Sequence, residues 1–295
     1  MRIFVTGASG FIGSAVLPEL LQAGHQVVGL ARSDQAAARV TALGADVRRG
    51  DLSDTVGLAE AAADSDGVVH LGYSHDFSKM AEAAVLDRAA IAAMGTALEG
   101  SGRPLLFATG LLGMPVGRPA TEADAPDPGV HPRGGTAVAA VALADRGVRP
   151  VAVRFAPTVH GAGDHGFIAV LTQVARERGV SAYVGDGANR WPAVHRSDAG
   201  RLVRLAVESD AAGTAVHAVA EEGVPTRTIA EAIGRGLGLP VESVAHDQAA
   251  EHFGWIGAFF TADCPVSSDR TRELLGWEPA GPTLLEDLDA GHYTS

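Results

Sequence analysis

The stretch Thr6-Gly7-Ala8-Ser9-Gly10-Phe11-Ile12-Gly13 follows a short apolar run and opens a segment with apolar residues at Val16, Leu17, Leu20 and Leu21. Glycines at this spacing have a chemical use. Gly7 allows a tight turn, Gly10 lets the backbone approach a pyrophosphate, and Gly13 permits close packing of a helix on a strand. Phe11 and Ile12 open the helix, whose N-terminus offers unpaired N–H groups and partial positive charge to that anion. A second strand follows at the distance a βαβ unit needs, so the stretch predicts dinucleotide binding. The end of that strand selects the dinucleotide. An acidic residue there would bond the ribose 2′-hydroxyl of NAD, whereas this chain carries Arg32 and Ser33. The guanidinium fork suits a 2′-phosphate and Ser33 adds a hydroxyl. NADP(H) is the expected cofactor; NAD(H) is the alternative if Arg32 only caps the strand.

Histidine is the side chain best able to move protons near neutral pH, and the chain has 11. His70, His75, His131, His160, His165 and His195 fall at carboxyl ends of expected strands or on the loops after them, where open α/β sheets place ligands. His25, His217, His246, His252 and His292 read as surface or helix-flanking residues. His75, beside Asp76 after the fourth strand, is a candidate proton donor, or else part of a polar loop capping the next helix. Tyr73, His165, Tyr183 and Trp191 are candidate substrate contacts, the last two as flat walls or as core packing. No histidine pair has helical metal-ligand spacing and the single cysteine, Cys264, excludes a cysteine-type metal site, so no metal is expected.

These groups need a scaffold. At 295 residues the chain can bury about three quarters of its unfolded surface without disulfides. Strands are expected at Arg2–Thr6, Gln26–Leu30, Asp46–Arg49, Gly67–Leu71, Pro104–Thr109 and Pro150–Phe155. Helices are expected at Phe11–Ala23, Asp34–Leu43, Thr55–Ala63, Ser78–Glu99 and Thr136–Arg146. That alternation predicts an α/β fold with a doubly wound parallel sheet of Rossmann type. Residues 1–160, with 193–220 returning to them, would form the dinucleotide-binding part, and 161–192 with 221–295 a smaller interleaved substrate region. The net charge of −12, with scattered acids, argues against nucleic acid or an anionic membrane as partner and for a small molecule. No signal-peptide core or spanning segment is read, and one cysteine suits a cytoplasmic location.

Thr6 to Gly13, Gly50-Asp51-Leu52, His70-Leu71-Gly72, Arg154 through Gly161, Val194 to Asp198 and Glu273 to Pro279 together resemble an extended short-chain dehydrogenase/reductase of the NAD(P)-dependent epimerase/dehydratase type. The resemblance implies that Asp51 and Leu52 flank the adenine, that His70, Leu71 and Gly72 run past the cofactor phosphate and ribose, and that Thr109 hydrogen-bonds the reacting oxygen. It also allows a homodimer. The family's Tyr and Lys four residues apart are missing: the tyrosines are Tyr73, Tyr183 and Tyr293, and the one lysine is Lys79. The vacated positions fall near Gly129 and Arg133. Arg133 could hold ribose hydroxyls but cannot act as proton donor, which leaves His131, two residues from the vacated tyrosine, beside His75 as candidate acids. The expected activity is reduction of a small apolar or aromatic carbonyl, imine or enone. A non-redox isomerase, lyase or cyclase, and an NADP(H)-sensing protein, are the alternatives.

Overall fold

The computed structural model describes residues 1–74, 79–111, 113–115, 117–127, 132–210 and 213–294, the side chain at 132 excepted. Its main sheet has seven parallel strands: β1 (Arg2–Thr6), β2 (Gln26–Ala31), β3 (Asp46–Arg49), β4 (Gly67–His70), β5 (Pro104–Gly110), β6 (Arg149–Phe155) and, after two shorter strands and one longer one, β10 (Thr214–Ala218). Across the sheet the order is β3-β2-β1-β4-β5-β6-β10. The order reverses between β1 and β4, which opens a crevice at their carboxyl ends, where such sheets bind ligands.

The inner strands are apolar runs and not alternating ones because both faces are covered. Helices α1 (Gly13–Gln22) and α7 (Arg196–Glu208) pack on one face, where a Cβ on Gly200 would lie 2.7 Å from the Ala15 carbonyl oxygen. Helices α3 (Thr55–Ala63), α4 (Met80–Ala97) and α5 (Pro132–Val141) cover the other through Leu58, Ile91, Met94 and Ala140. Helix α2 (Asp34–Ala42) closes the edge, its N-terminus capped by the Ser33 hydroxyl accepting from the Ala36 N–H at 3.2 Å.

The strands lie within a residue of their expected places. Helix α1 starts at Gly13 and not Phe11, because Phe11 and Ile12 belong to the turn. The helix expected at Thr136–Arg146 starts earlier, at Pro132, and tightens into a 3-10 turn over Ala142–Arg146.

A second core gathers Ile168, Trp191, Ile229, Phe260 and Leu284. Its frame is β7 (Thr158–His160), β9 (Arg190–His195) and β11 (Glu221–Pro225) in one small sheet, and β8 (Ser181–Val184) with β12 (Val241–Val244) in another. Helices α6 (Phe167–Arg178), α8 (Thr226–Leu237), α9 (Ala249–Phe253), α10 (Gly257–Phe260) and α12 (Leu284–Asp289) surround it. Helix α11 (Asp269–Leu275) leads to Trp277, which packs with Val266 into the main sheet's core, so this part of 221–295 belongs to the first lobe.

His217 corrects the expectation of a surface residue: it lies on β10 with no exposure. Its Nδ1 meets the Ser267 carbonyl at 2.7 Å and must donate; its Nε2 then accepts from Arg154 Nη1 at 3.2 Å. The ring is therefore neutral. Burial is the main cause that lowers its pKa below the usual histidine value, and Arg154 adds to it, against the upward pull of the Ser267 carbonyl, Glu122 and Asp124. A lowered folded-state pKa contributes stability above the ordinary value, near 6.5, and loses it as pH falls below that. The urea midpoint should fall between pH 7 and pH 5. His217→Gln, whose amide can donate to Ser267 and accept from Arg154, should show a shallower fall, and an equally steep one would contradict this account.

Candidate functional site

The glycine turn sits at the carboxyl end of β1. Gly7 has φ +67°, and a Cβ on it would lie 2.7 Å from the backbone of Leu71 and Gly72; a Cβ on Gly13 would lie 2.2 Å from the Gly7 carbonyl oxygen. Both glycines are demanded by close approach of backbone to backbone. Gly10 differs: a Cβ there would meet only the Gly7 oxygen, at 3.1 Å, so its other side is open. Among the described residues no protein acceptor takes the N–H groups of Phe11, Ile12 or Gly13. An open glycine flanked by free helix-terminal N–H groups is a cradle that fits a pyrophosphate.

Neighbouring chain converges on this turn. Leu71 N–H donates to the Thr6 carbonyl at 3.2 Å and Gly72 N–H to Thr6 Oγ1 at 3.0 Å. Leu52 packs where a Cβ on Gly72 would meet its methyls at 3.1 Å. Asp51 accepts from the Ser53 N–H and hydroxyl, and these bonds, the backbone one first, hold its carboxyl below the usual range, with Arg32 adding to it. Arg32 is exposed just past β2. The Ser33 oxygen is already used as an acceptor in capping α2, which leaves its proton to give.

Beneath the turn lies a buried chain of polar groups. Thr6 Oγ1, having accepted from Gly72, donates to His70 Nδ1 at 2.7 Å; His70 Nε2 donates to Asp87 Oδ1 at 3.2 Å. Asp87 Oδ2 accepts from Arg133 Nε at 3.2 Å, and Arg133 Nη2 reaches Asp87 Oδ1 at 3.4 Å and the Ala108 carbonyl. The guanidinium carbon lies 4.1 Å from the Tyr73 ring centroid. The His70 side chain is thus fully buried and cannot itself touch a dinucleotide; the backbone of Leu71 and Gly72 is what meets the turn. Arg133, expected to hold ribose hydroxyls, turns its guanidinium to Asp87, Ala108 and Tyr73 because the buried carboxylate needs a cation.

Thr109 is the last residue but one of β5, beside Ala108, buried and with no side-chain hydrogen-bond partner among the described residues. Burial raises the Tyr73 hydroxyl pKa, with Arg133 opposing, so Tyr73 stays protonated. His75 and His131 lie outside the described residues. His165 stands edge-on to Phe11, ring centroids 6.0 Å apart, against the glycine turn. Tyr183 lies in the smaller lobe with Arg227 5.5 Å from its ring centroid. Trp191 is no open wall: it is fully buried between Phe167 and Phe260, at 5.4 and 5.2 Å.

Asp87 was missed by sequence reasoning, yet a signal existed. It stands on the apolar stripe of α4, four residues after Ala83 and four before Ile91, where an unpartnered charge would be costly.

A doubly wound sheet with a glycine cradle at its switch point defines a dinucleotide-binding protein of Rossmann type. More narrowly, the chain belongs to the NAD dependent epimerase/dehydratase family, whose model matches residues 3–101. It is 47% identical to an uncharacterized protein of Schizosaccharomyces pombe, over 99% of this chain and all of that one. It is 28% identical to 2-alkyl-3-oxoalkanoate reductase of Stenotrophomonas maltophilia, over 100% of this chain and 91% of the relative. The solved dTDP-glucose 4,6-dehydratase of Streptomyces venezuelae, with NAD bound, superposes with a TM-score of 0.77 at 20% identity, covering 99% of this chain and 96% of that one. That likeness is one of fold. Among the described residues no helix is long and apolar enough to cross a membrane, and no group of three or more His, Cys, Asp or Glu is placed to hold a metal ion.

Asp87→Ala would take the carboxylate away from Arg133 and leave His70 Nε2 without its acceptor. Breaking a buried pair from one side costs ~3–5 kcal/mol. Urea unfolding should show a loss of that order, and Asp87→Leu combined with Arg133→Met should recover much of it. A loss under ~1 kcal/mol would refute the weight given to the pair.

Proposed function

We propose that the protein is an NADP(H)-dependent reductase of a small apolar or aromatic carbonyl, imine or enone compound. The observation that carries this reading is the cradle: open space at Gly10, beside three N–H groups without protein acceptors. When bound there, the dinucleotide supplies the hydride. The N–H groups of Phe11, Ile12 and Gly13 hold the pyrophosphate, the Leu71 and Gly72 backbones wall it, Asp51 and Leu52 flank the adenine, and Arg32 with the Ser33 hydroxyl takes a 2′-phosphate. Thr109 gives its unengaged hydroxyl to the reacting oxygen. Tyr73, kept neutral and set against Arg133, lines the substrate side with His165. The proton comes from His131 or His75. The reductase named above at 28% identity supports redox chemistry on this fold.

The missing Tyr–Lys pair favours a second reading, in which the pocket serves a non-redox isomerisation or elimination, or senses NADP(H). Retention of all NADPH during turnover would select it. A cytoplasmic location is proposed with the reductase reading; Cys264 is an inert thiol whose pKa burial pushes up to about 12. A homodimer is proposed through α4 and α5, adjacent helices whose Val85 and Val138 are 67% and 56% exposed. No nucleic-acid or membrane partner is proposed.

Cofactor-fluorescence titration should give NADPH at least about tenfold tighter than NADH, or ~1.4 kcal/mol. Arg32→Ala should close that gap by weakening NADPH alone, since NADH has no 2′-phosphate to lose. Equal affinities in the wild type would overturn the NADP assignment.

In steady-state assays the reductive rate should fall as pH rises through ~6.5, because a protonated imidazole is the donor. Loss of the acid in His131→Ala or His75→Ala should cost ~10²–10⁴ in kcat/KM. If those two variants and Thr109→Ala all keep wild-type activity, the assignment of the reacting groups fails.

A further inference from the structure

The loop of residues 161–166 joins β7 to α6 and passes over the glycine turn. His165 stands against Phe11, and Arg196, the first residue of α7, ties loop and turn together. Arg196 Nη1 donates to the Ala162 carbonyl at 2.9 Å and Nη2 to Ser14 Oγ at 2.7 Å, while its guanidinium carbon lies 4.7 Å from the Phe11 ring centroid. On this side the loop is a wall of the dinucleotide cradle. Gly161 and Gly163 have φ +138° and +82°, conformations that glycine reaches as readily as many others, so the loop's own sequence does little to hold this shape.

The opposite side is held by a residue 127 or more positions away. Tyr293, 7% exposed, has its ring in the second core, and its hydroxyl is used twice. It accepts from the Gly161 N–H at 3.2 Å and donates to Asp164 Oδ2 at 3.0 Å. Asp164 Oδ1 accepts from the Gly166 N–H at 2.6 Å, so the one carboxylate spans the loop. The same segment grips the residue before the loop, where Asp287 on α12 takes His160 Nδ1 at 3.0 Å, and the helix after it, where the Tyr293 carbonyl accepts from Arg176 Nη2 at 3.1 Å. Packing alone would need only the ring of Tyr293. The two hydrogen bonds of the hydroxyl are both spent on the loop.

We infer that Tyr293 is a positioning residue for the dinucleotide site: its hydroxyl, with Asp164, latches the 161–166 loop so that Ala162 and His165 are held against the glycine turn. Tyr293 touches neither cofactor nor substrate. Its effect passes through the fraction of molecules whose loop is in place, because apparent affinity falls in proportion to that fraction. The inference rests on the dinucleotide reading of the cradle and not on the choice between NADP and NAD, since the latch acts at the pyrophosphate end that both share.

The test is titration of the full chain with NADPH and with NADH, well below the melting temperature, for wild type, Tyr293→Phe, Asp164→Ala and the double variant. Tyr293→Phe keeps the ring in the core and should weaken both dinucleotides about tenfold by the same factor, leaving the NADPH:NADH ratio unchanged. Both single variants break one latch, so the double variant should be no weaker than the weaker single. A merely structural tyrosine would lower the melting temperature of the dinucleotide-free protein and leave both affinities as they were; that result overturns the latch. So do additive losses in the double variant, or a Tyr293→Phe effect on NADPH alone. A wild type that binds neither dinucleotide overturns the cradle reading and the latch with it, whereas a wild type that binds and a Tyr293→Phe variant that binds equally well overturns the latch only. Should Asp164→Ala fail to fold, Tyr293→Phe alone still decides through affinity against melting temperature.

Discussion

A carboxylate out of water must find cations and donors, and Asp87 at 2% exposure is where that constraint governs this molecule. Its two oxygens are met by His70 from β4 and Arg133 from α5, and through them by Thr6 of β1 and Ala108 of β5. The carboxyl ends of three strands and the start of α5 are therefore set by one charge on α4. A well-packed apolar residue could fill the same space at no such cost, so what the pair contributes is direction: Arg133 must point at Asp87, His70 must present Nε2 to it, and Thr6 must face His70.

That direction reaches the dinucleotide cradle. Thr6 Oγ1 accepts the Gly72 N–H while giving its own proton to His70, which fixes the hydroxyl's orientation, and Gly72 in turn lies so close to Gly7 that no side chain fits between them. The turn is thus gripped from β4 while its outer side, at Gly10, stays open. Sterics supply the shape and the buried ion pair supplies the registration. The floor of the crevice between β1 and β4 is consequently tied by bonds from both strands.

Much of this was legible in the residues themselves. The glycine spacing and the apolar runs of inner strands are local signals, each set by residues within a turn or two of one another. Trp191, His217 and Tyr293 were not legible in the same way, since their roles are fixed by partners far along the chain: His217 bonds Arg154 across 63 positions and Tyr293 bonds Asp164 across 129. An aromatic ring in a glycine-rich stretch fits a pocket wall and a core equally well until its neighbours are known, and Trp191, on β9, went to the core because Phe167 and Phe260 close on it. Asp87 is the intermediate case. Its place on an apolar stripe announced a buried charge, but which cation would answer it depended on how α5 lies against α4.

The packing of α7 on α1 has a consequence for how the chain is made. Arg204 and Glu19 pair across 185 positions, and Leu202, Val203 and Ala206 cover Val16, Leu17 and Leu20 from the same distance. At ~5–20 residues per second, a ribosome takes about 10–40 s to deliver α7 after α1 has emerged. For that interval the part of this face that α7 covers stays bare beside α1, and β10, which completes the sheet beyond β6, is later still. The nascent chain is then a natural client for a chaperone that shields apolar surface, and truncation between β6 and α7 would yield a species prone to aggregate, although it contains the whole glycine turn.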